Sequence, residues 1–363
     1  MINFRQSQPS LKAKMVLMLS KIISFMRHTI LFPILLAICL SGVGCGKTET
    51  PAAECEEMTV SLKLDGDFDA FVDQEPMTKA GSSNDAYGIN VYYDKEGDGA
   101  TNDLYAYGLF DNVADMTITL LTKHKYKVQC TLVKNARNTL YFGQAFGNAY
   151  SGYAYPFQTN SSNSTQVTNK FVIGTSNYFS GFGSGDAHVA STTSPSTSNS
   201  TKCASANRFY GETDQYEPVA GGKIDVYLKR VIFGAKFVVT GLKEGTLDVK
   251  CGDFFLKTYS TDDGGVEKIY TFPDVYNVWK NDTPLTENVT ISYTSARGKL
   301  WNISQEQKVQ FKRNVMTTVN IQVNPDLSGA NFNVTEEELE EDNVIDMGIN
   351  TDGLIDIIVN PED

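Results

Sequence analysis

Residues 223–230 read Lys-Ile-Asp-Val-Tyr-Leu-Lys-Arg, with Ile224, Val226 and Leu228 separated by charged or polar neighbours. This period of two constrains the fold more than any other feature, because successive side chains of an extended chain point to opposite faces. The same alternation recurs at 59–64, 88–93, 116–120, 125–133, 289–293, 309–311 and 317–323. The 20 Phe and 18 Tyr suit pleated, half-buried surfaces, and the 29 Gly supply turns between them. Long helical periodicities are absent from the sequence. Many short strands at turn-punctuated spacing predict an all-β chain of sandwich or barrel architecture.

A second pattern concerns export. Arg27 and His28 precede an apolar run of eleven residues at 30–40, followed by Ser41-Gly42-Val43-Gly44 and Cys45. Eleven residues are too few to cross a hydrocarbon core of roughly 30 Å but suit the apolar region of a signal peptide. Small residues directly before a cysteine fit a lipoprotein signal, with Cys45 as the acylated residue. The alternative is an ordinary secretory signal cut near Gly44, leaving Cys45 as a thiol. Residues 1–25 carry a second apolar patch, and Met26 is an alternative initiator. Loss of residues 1–44 leaves 26 basic against 43 acidic residues, a formal charge of −17 instead of −12. So acidic a chain is not built for a nucleic-acid backbone, and membrane attachment falls to fatty acyl chains such as palmitate rather than a basic patch.

The roughly 319 residues after such processing exceed what one core usually serves. The expected division is a lipidated linker at 45–57, an N-terminal β-sandwich domain at 58–217, a C-terminal one at 223–324 and an acidic extension at 325–363. Residues 159–201, rich in Ser, Thr, Asn and Gly, read as a long loop, and Glu217-Pro218-Val219-Ala220-Gly221-Gly222 as the hinge. Thr335 with Glu338 fits a capping box opening a short helix. Beyond it, residues 344–349 and 354–359 flank Asn350-Thr351-Asp352-Gly353 and read as a hairpin. Ile345, Met347 and Ile349 share one face and Ile355, Ile357 and Val359 another, so this ribbon has an apolar side in need of a cover.

Catalytic chemistry finds no foothold in the residues. His124 and His188 sit in no spacing that suggests zinc or a triad, and His124 reads as a surface residue. Gly181-Phe182-Gly183-Ser184-Gly185-Asp186 lacks the strand, turn and helix context of a phosphate loop and reads as a flexible loop. Asp94, Glu96 and Asp98 with Gly99 imitate the start of a calcium loop, but Tyr105 stands where a bidentate Glu belongs; a hairpin tip explains them. The expectation is no enzyme, no metal and no cofactor. Cys55, Cys130, Cys203 and Cys251 permit two disulfides in three pairings, or remain buried thiols.

Several segments together resemble the fimbrillin-like lipoproteins, subunits and accessory proteins of type V pili in Gram-negative anaerobes. They are the signal ending at Cys45; residues 58–64, leading to Met77-Thr78-Lys79-Ala80; Tyr87-Gly88-Ile89-Asn90-Val91-Tyr92-Tyr93; and Leu104-Tyr105-Ala106-Tyr107-Gly108-Leu109-Phe110. They continue with Val226-Tyr227-Leu228-Lys229-Arg230-Val231, Gly234-Ala235-Lys236-Phe237 and the strand at 311–321. The resemblance implies two tandem transthyretin-like Greek-key β-sandwich domains with a C-terminal hairpin extension, on a lipid-anchored, outer-membrane surface protein of a pilus. It also implies partners among other pilus subunits, by donor-strand exchange. Proteolysis after Lys79 would free Ala80 as the new N-terminus and remove the strand at 58–64, and a neighbour's strand at 344–359 would fill the groove. The alternative function is a stand-alone surface lipoprotein binding a glycan or another ligand, on a host or elsewhere, through aromatics at 141–157 or 178–182, including Tyr150, Tyr153, Tyr155 and Phe157.

Overall fold

The computed structural model describes residues 56–67, 84–140, 142–144, 151–162, 164–188, 203–261, 263–297, 300–301, 306–324 and 330–339. The chain runs through β1 (Glu57–Gly66), β2 (Ala86–Tyr93), β3 (Asp103–Phe110), β4 (Thr117–Leu121), β5 (Tyr126–Val133), α1 (Ala136–Thr139), β6 (Phe142–Gln144), β7 (Ser151–Tyr153) and β8 (Phe171–Ile173). It continues with β9 (Arg208–Tyr216), β10 (Lys223–Arg230), β11 (Ile232–Thr240), β12 (Thr246–Cys251), β13 (Phe255–Tyr259), β14 (Val266–Thr271) and α2 (Val275–Asn281). The last strands are β15 (Leu285–Thr294), β16 (Leu300–Trp301), β17 (Glu306–Phe311), β18 (Val315–Val323) and β19 (Ala330–Glu338). The alternating segments all fall on strands, and β10 shows why: Ile224, Val226 and Leu228 are fully buried while Lys223, Asp225 and Tyr227 face solvent.

Eight strands form one sheet in the order β4-β1-β10-β9-β5-β2-β3-β8. It folds over at β9 and β10, which share only the pairs Lys229 with Tyr210 and Arg230 with Phe209. Val60, Ile118 and Val226 of one layer therefore meet Ile89, Tyr105 and Cys130 of the other in a single core. Tyr105 of β3 donates its hydroxyl to the Thr119 carbonyl of β4 at 2.8 Å, across the two layers. Tyr126 likewise caps the end of β4, accepting from the Leu121 amide at 2.8 Å.

Two further sheets, β14-β11-β18-β19 and β13-β12-β15 with β16 and β17 beside β15, face each other. Phe233, Phe237, Val319 and Ile321 from one pack with Leu247, Val249, Ile291 and Phe311 from the other. Phe237 stacks on Phe255 at 4.1 Å between centroids, and the Tyr259 hydroxyl reaches the Phe237 carbonyl at 3.0 Å. The architecture is thus all-β and layered.

The structure departs from the sequence expectations at several points. Strand β10, assigned above to the second domain, lies in the first sheet beside β1, and the supposed hinge at 217–222 joins two neighbouring strands of that sheet. Residues 335–338 are no helix: β19 pairs with β18 from Val315 opposite Glu338 to Val323 opposite Ala330. Nine consecutive pairings outweigh a capping signal worth about 1 kcal/mol. The segment at 181–186 is not a loose loop either, since Gly181, Phe182 and Gly185 are buried. His124 is only 16% exposed at its side chain, with Nδ1 2.9 Å from the Asp94 carbonyl and its ring edge-on to Tyr93.

That 181–185 segment is held by Arg208, which is 1% exposed. Its guanidinium donates to the carbonyls of Ser184 at 2.5 Å, Phe182 at 2.9 Å and Gly181 at 3.0 Å. Burial lowers its pKa to about 10, opposed by Tyr155, Tyr210 and Asp186, so it stays charged at neutral pH. The far side of the same segment bonds the connection between β14 and α2. Gly185 donates to the Pro273 carbonyl at 3.0 Å, and Val275, opening α2, donates to the Gly183 carbonyl at 2.9 Å. A Cβ on Gly185 would stand 2.0 Å from the Phe272 carbonyl oxygen, so this approach requires glycine. We predict that Arg208→Met, which keeps the apolar stem but leaves three carbonyls without donors, destabilises the fold by about 3–5 kcal/mol. Urea unfolding of the two proteins measures this as a lowered midpoint.

Candidate functional site

The arrangement most relevant to function centres on β1. Its sequence, Glu-Met-Thr-Val-Ser-Leu-Lys-Leu-Asp-Gly, buries Val60, Leu62 and Leu64 and leaves Lys63 and Asp65 in solvent. Those three side chains contribute roughly 5–8 kcal/mol of apolar burial. β1 lies between β4 and β10, which do not pair with each other. Its first half runs antiparallel to β4, from Glu57 opposite Leu121 to Ser61 opposite Thr117. Its second half runs parallel to β10, from Ser61 opposite Lys223 to Gly66 opposite Leu228. Removing β1 would therefore expose an apolar slot bounded by two strand edges with unsatisfied amides and carbonyls.

Both ends of β1 are tied. At the start, the Thr122 amide donates to the Glu56 carbonyl at 2.8 Å and the Glu56 amide donates to Thr122 Oγ1 at 2.9 Å. At the end, Gly66 has φ of 150°, and a Cβ there would lie 2.0 Å from the Leu228 carbonyl oxygen. Glycine lets the chain pass that carbonyl so that Asp67 can donate its amide to the same oxygen at 2.9 Å.

Asp67 is the hub of a charged cluster. Its Oδ1 accepts from the Tyr227 hydroxyl at 2.9 Å; its Oδ2 accepts from Arg313 Nη1 at 2.7 Å and the Arg230 amide at 3.3 Å. Arg313 Nε donates to Asp282 Oδ1 at 2.5 Å, and Lys229 Nζ stands 3.5 Å from Asp282 Oδ2. Partial burial works to raise the Asp282 pKa, but Arg313 and Lys229 outweigh it and hold the carboxyl below its ordinary value. The hydrogen bond to Asp67 pushes the Tyr227 phenol upward. Partners from β10 and from the turn between β17 and β18 thus converge on Asp67, and Arg313 links it to a second carboxylate, Asp282, just past α2.

The remaining sequence-derived candidates fall as follows. Cys45, Cys55, Lys79, Ala80, Ile345, Met347, Ile349, Ile355, Ile357 and Val359 lie outside the described residues. Cys130 is buried in the core of the first sheet, whereas Cys203 and Cys251 are buried together in the core of the C-terminal sheets. Burial raises the Cys251 thiol to about 12, with Glu287 and Cys203 adding to it. Tyr153, Phe157, Phe179 and Phe182 are core residues rather than an exposed stacking platform for sugars; Phe179 and Phe182 stack on each other at 5.4 Å. Tyr155 is half-buried against His188, and Tyr178 is exposed. Asp94, Glu96 and Asp98 sit at the tip between β2 and β3, where Asp94 Oδ1 accepts from the Lys125 amide at 2.6 Å and Asp98 Oδ1 from the Ala100 amide at 2.8 Å. Among the described residues, no group of His, Cys, Asp and Glu is arranged to hold a metal ion. Sequence reasoning did not single out Asp67, Arg208 or Arg313, whose partners are all remote in the chain.

No family model and no curated protein matches the chain. Among solved structures, it is similar to a candidate cell adhesion protein from Bacteroides eggerthii, with 14% identity over 78% of this chain and 96% of that one and a TM-score of 0.34. It is also similar to the tip fimbrial protein Mfa3 from Porphyromonas gingivalis with a C-terminal truncation, with 9% identity over 78% of this chain and 100% of that one and a TM-score of 0.28. A fimbrial assembly protein from Parabacteroides distasonis shows 12% identity over 79% and 96%, with a TM-score of 0.29. At such identities and scores the likenesses carry no functional argument.

Proposed function

We propose that this chain is a non-enzymatic cell-surface lipoprotein, a structural or anchoring component of a fimbria assembled by donor-strand exchange and supporting adhesion. The observation that carries the reading is the position of β1. It is the first strand among the described residues, second from the edge of its sheet, and among those residues it pairs with β4 and β10. In the sequence, residues 68–83 with Lys79 follow it directly, so a cut there severs β1 from the rest of the chain. The vacated slot calls for three alternating apolar residues in an extended chain. The C-terminal sequence offers that pattern twice, as Ile345, Met347, Ile349 and as Ile355, Ile357, Val359. Ladder hydrogen bonds supply affinity in such an exchange, and the alternate side-chain pockets supply register. Acylation of Cys45 would hold an unprocessed copy at the outer membrane, while processing after Lys79 would free a copy for the shaft.

Three outcomes are expected. Deleting residues 344–363 leaves a folded monomer and abolishes assemblies on unheated denaturing gels; polymers that persist in the deletion contradict the donor role. N-terminal sequencing of any such ladder from native surface fractions reads from Ala80. Cys45→Ala releases the protein into the medium, whereas undiminished membrane retention rules out lipidation at Cys45.

A further inference from the structure

The turn at residues 312–314, between β17 and β18, touches both elements that the strand-exchange reading sets in motion. On one side, Arg313 donates to Asp67 at the end of β1. On the other, the Leu339 amide donates to the Asn314 carbonyl at 2.8 Å, where the chain leaves β19 for residues 340–363. Leu339 is buried with Ile232, Ile269 and Met316, so the root of the C-terminal segment is packed as well as hydrogen-bonded. The turn itself is fixed in a third direction, since the Asn314 amide donates to the Ile232 carbonyl at 2.9 Å and Asn314 has a positive φ of 59°.

We propose that this turn is a coupling latch that holds β1 through Arg313 and the root of the C-terminal segment through Asn314, so that loosening either one loosens the other. The side chains of Asp67 and Arg313 are each only 22% exposed, so separating them strands two partly desolvated charges. With β1 gone, Arg313 keeps Asp282 as its anchor and turns away from the Arg230 carbonyl, which its Nη1 reaches at 3.5 Å beside Asp67. The backbone of residues 312–314 follows, and the Leu339 amide loses a well-placed acceptor. A subunit whose groove is emptied thereby also frees the root of the segment it would donate. Before that, the seated β1 keeps Leu339 docked on the turn. This inference rests on the strand-exchange reading for its biological purpose, but the coupling itself belongs to the monomer.

Hydrogen exchange on the full-length monomer tests it. Arg313→Gln and, separately, the isosteric Asp67→Asn should each speed exchange about tenfold both in residues 57–66 and at the Leu339 amide, with β12 and β15 unchanged. Linkage is reciprocal, so Leu339→Ala should speed exchange in residues 57–66 as well. Acceleration confined to residues 57–66, or spread evenly over β12 and β15, overturns the latch. Because every readout is taken on monomer, failure of the chain to polymerise would sink strand exchange and leave the latch result standing.

Discussion

The Arg208 guanidinium is the constraint on which the rest of this structure depends. A buried cation is costly, and here the cost is offset by carbonyls of residues 181, 182 and 184 converging on it. Those same residues are strung between the eight-stranded sheet, where Arg208 sits on β9, and the start of α2. One charge therefore fixes a glycine-rich segment that would otherwise have no regular structure to hold it. Through Gly183 and Gly185 it also fixes how α2 and β14 meet the first sheet. Aromatic packing by Phe157, Phe179 and Phe182 then fills the space that the segment encloses.

Against this rigid joint, β1 stands out as a separable part. It is held by its two ladders, by three aliphatic side chains and by Asp67 at its end. The apolar contribution of those side chains, roughly 5–8 kcal/mol, is the size that another strand of matching pattern could replace. Asp67 differs in kind, because its partners Arg313, Tyr227 and the Arg230 amide are arranged for a carboxylate at one place in the chain. The groove thus combines a general apolar slot with a specific charged end.

The strands were legible wherever one face is buried and the other wet, as in β1 and β10, because that alternation is written directly into residue order. β19 was not legible: most of its residues are exposed on both faces, so no period of two appears, and its glutamates suggested a helix. Its strand conformation comes from pairing with β18, a tertiary effect that overrides local preference. The buried role of Arg208 was hidden for the same reason, since its acceptors are backbone carbonyls more than twenty residues away and any residue type carries those. The glycines at 181–185 suggested looseness, yet at Gly185 the absent side chain serves close packing. The candidate groove was half legible: the apolar pattern of β1 and of the C-terminal segment could be read, whereas the Asp67 cluster required the fold.

The central claim is that β1 is an exchangeable occupant of a groove in an otherwise stable body. It is tested most directly by cutting the purified protein after Lys79 and adding a peptide of residues 343–363, then following the fragment that carries residues 57–66 by native mass spectrometry. The account predicts that the cut body stays folded and exchanges that fragment for the peptide one for one. A cut body that unfolds, or one that keeps its fragment and takes up no peptide, would contradict it.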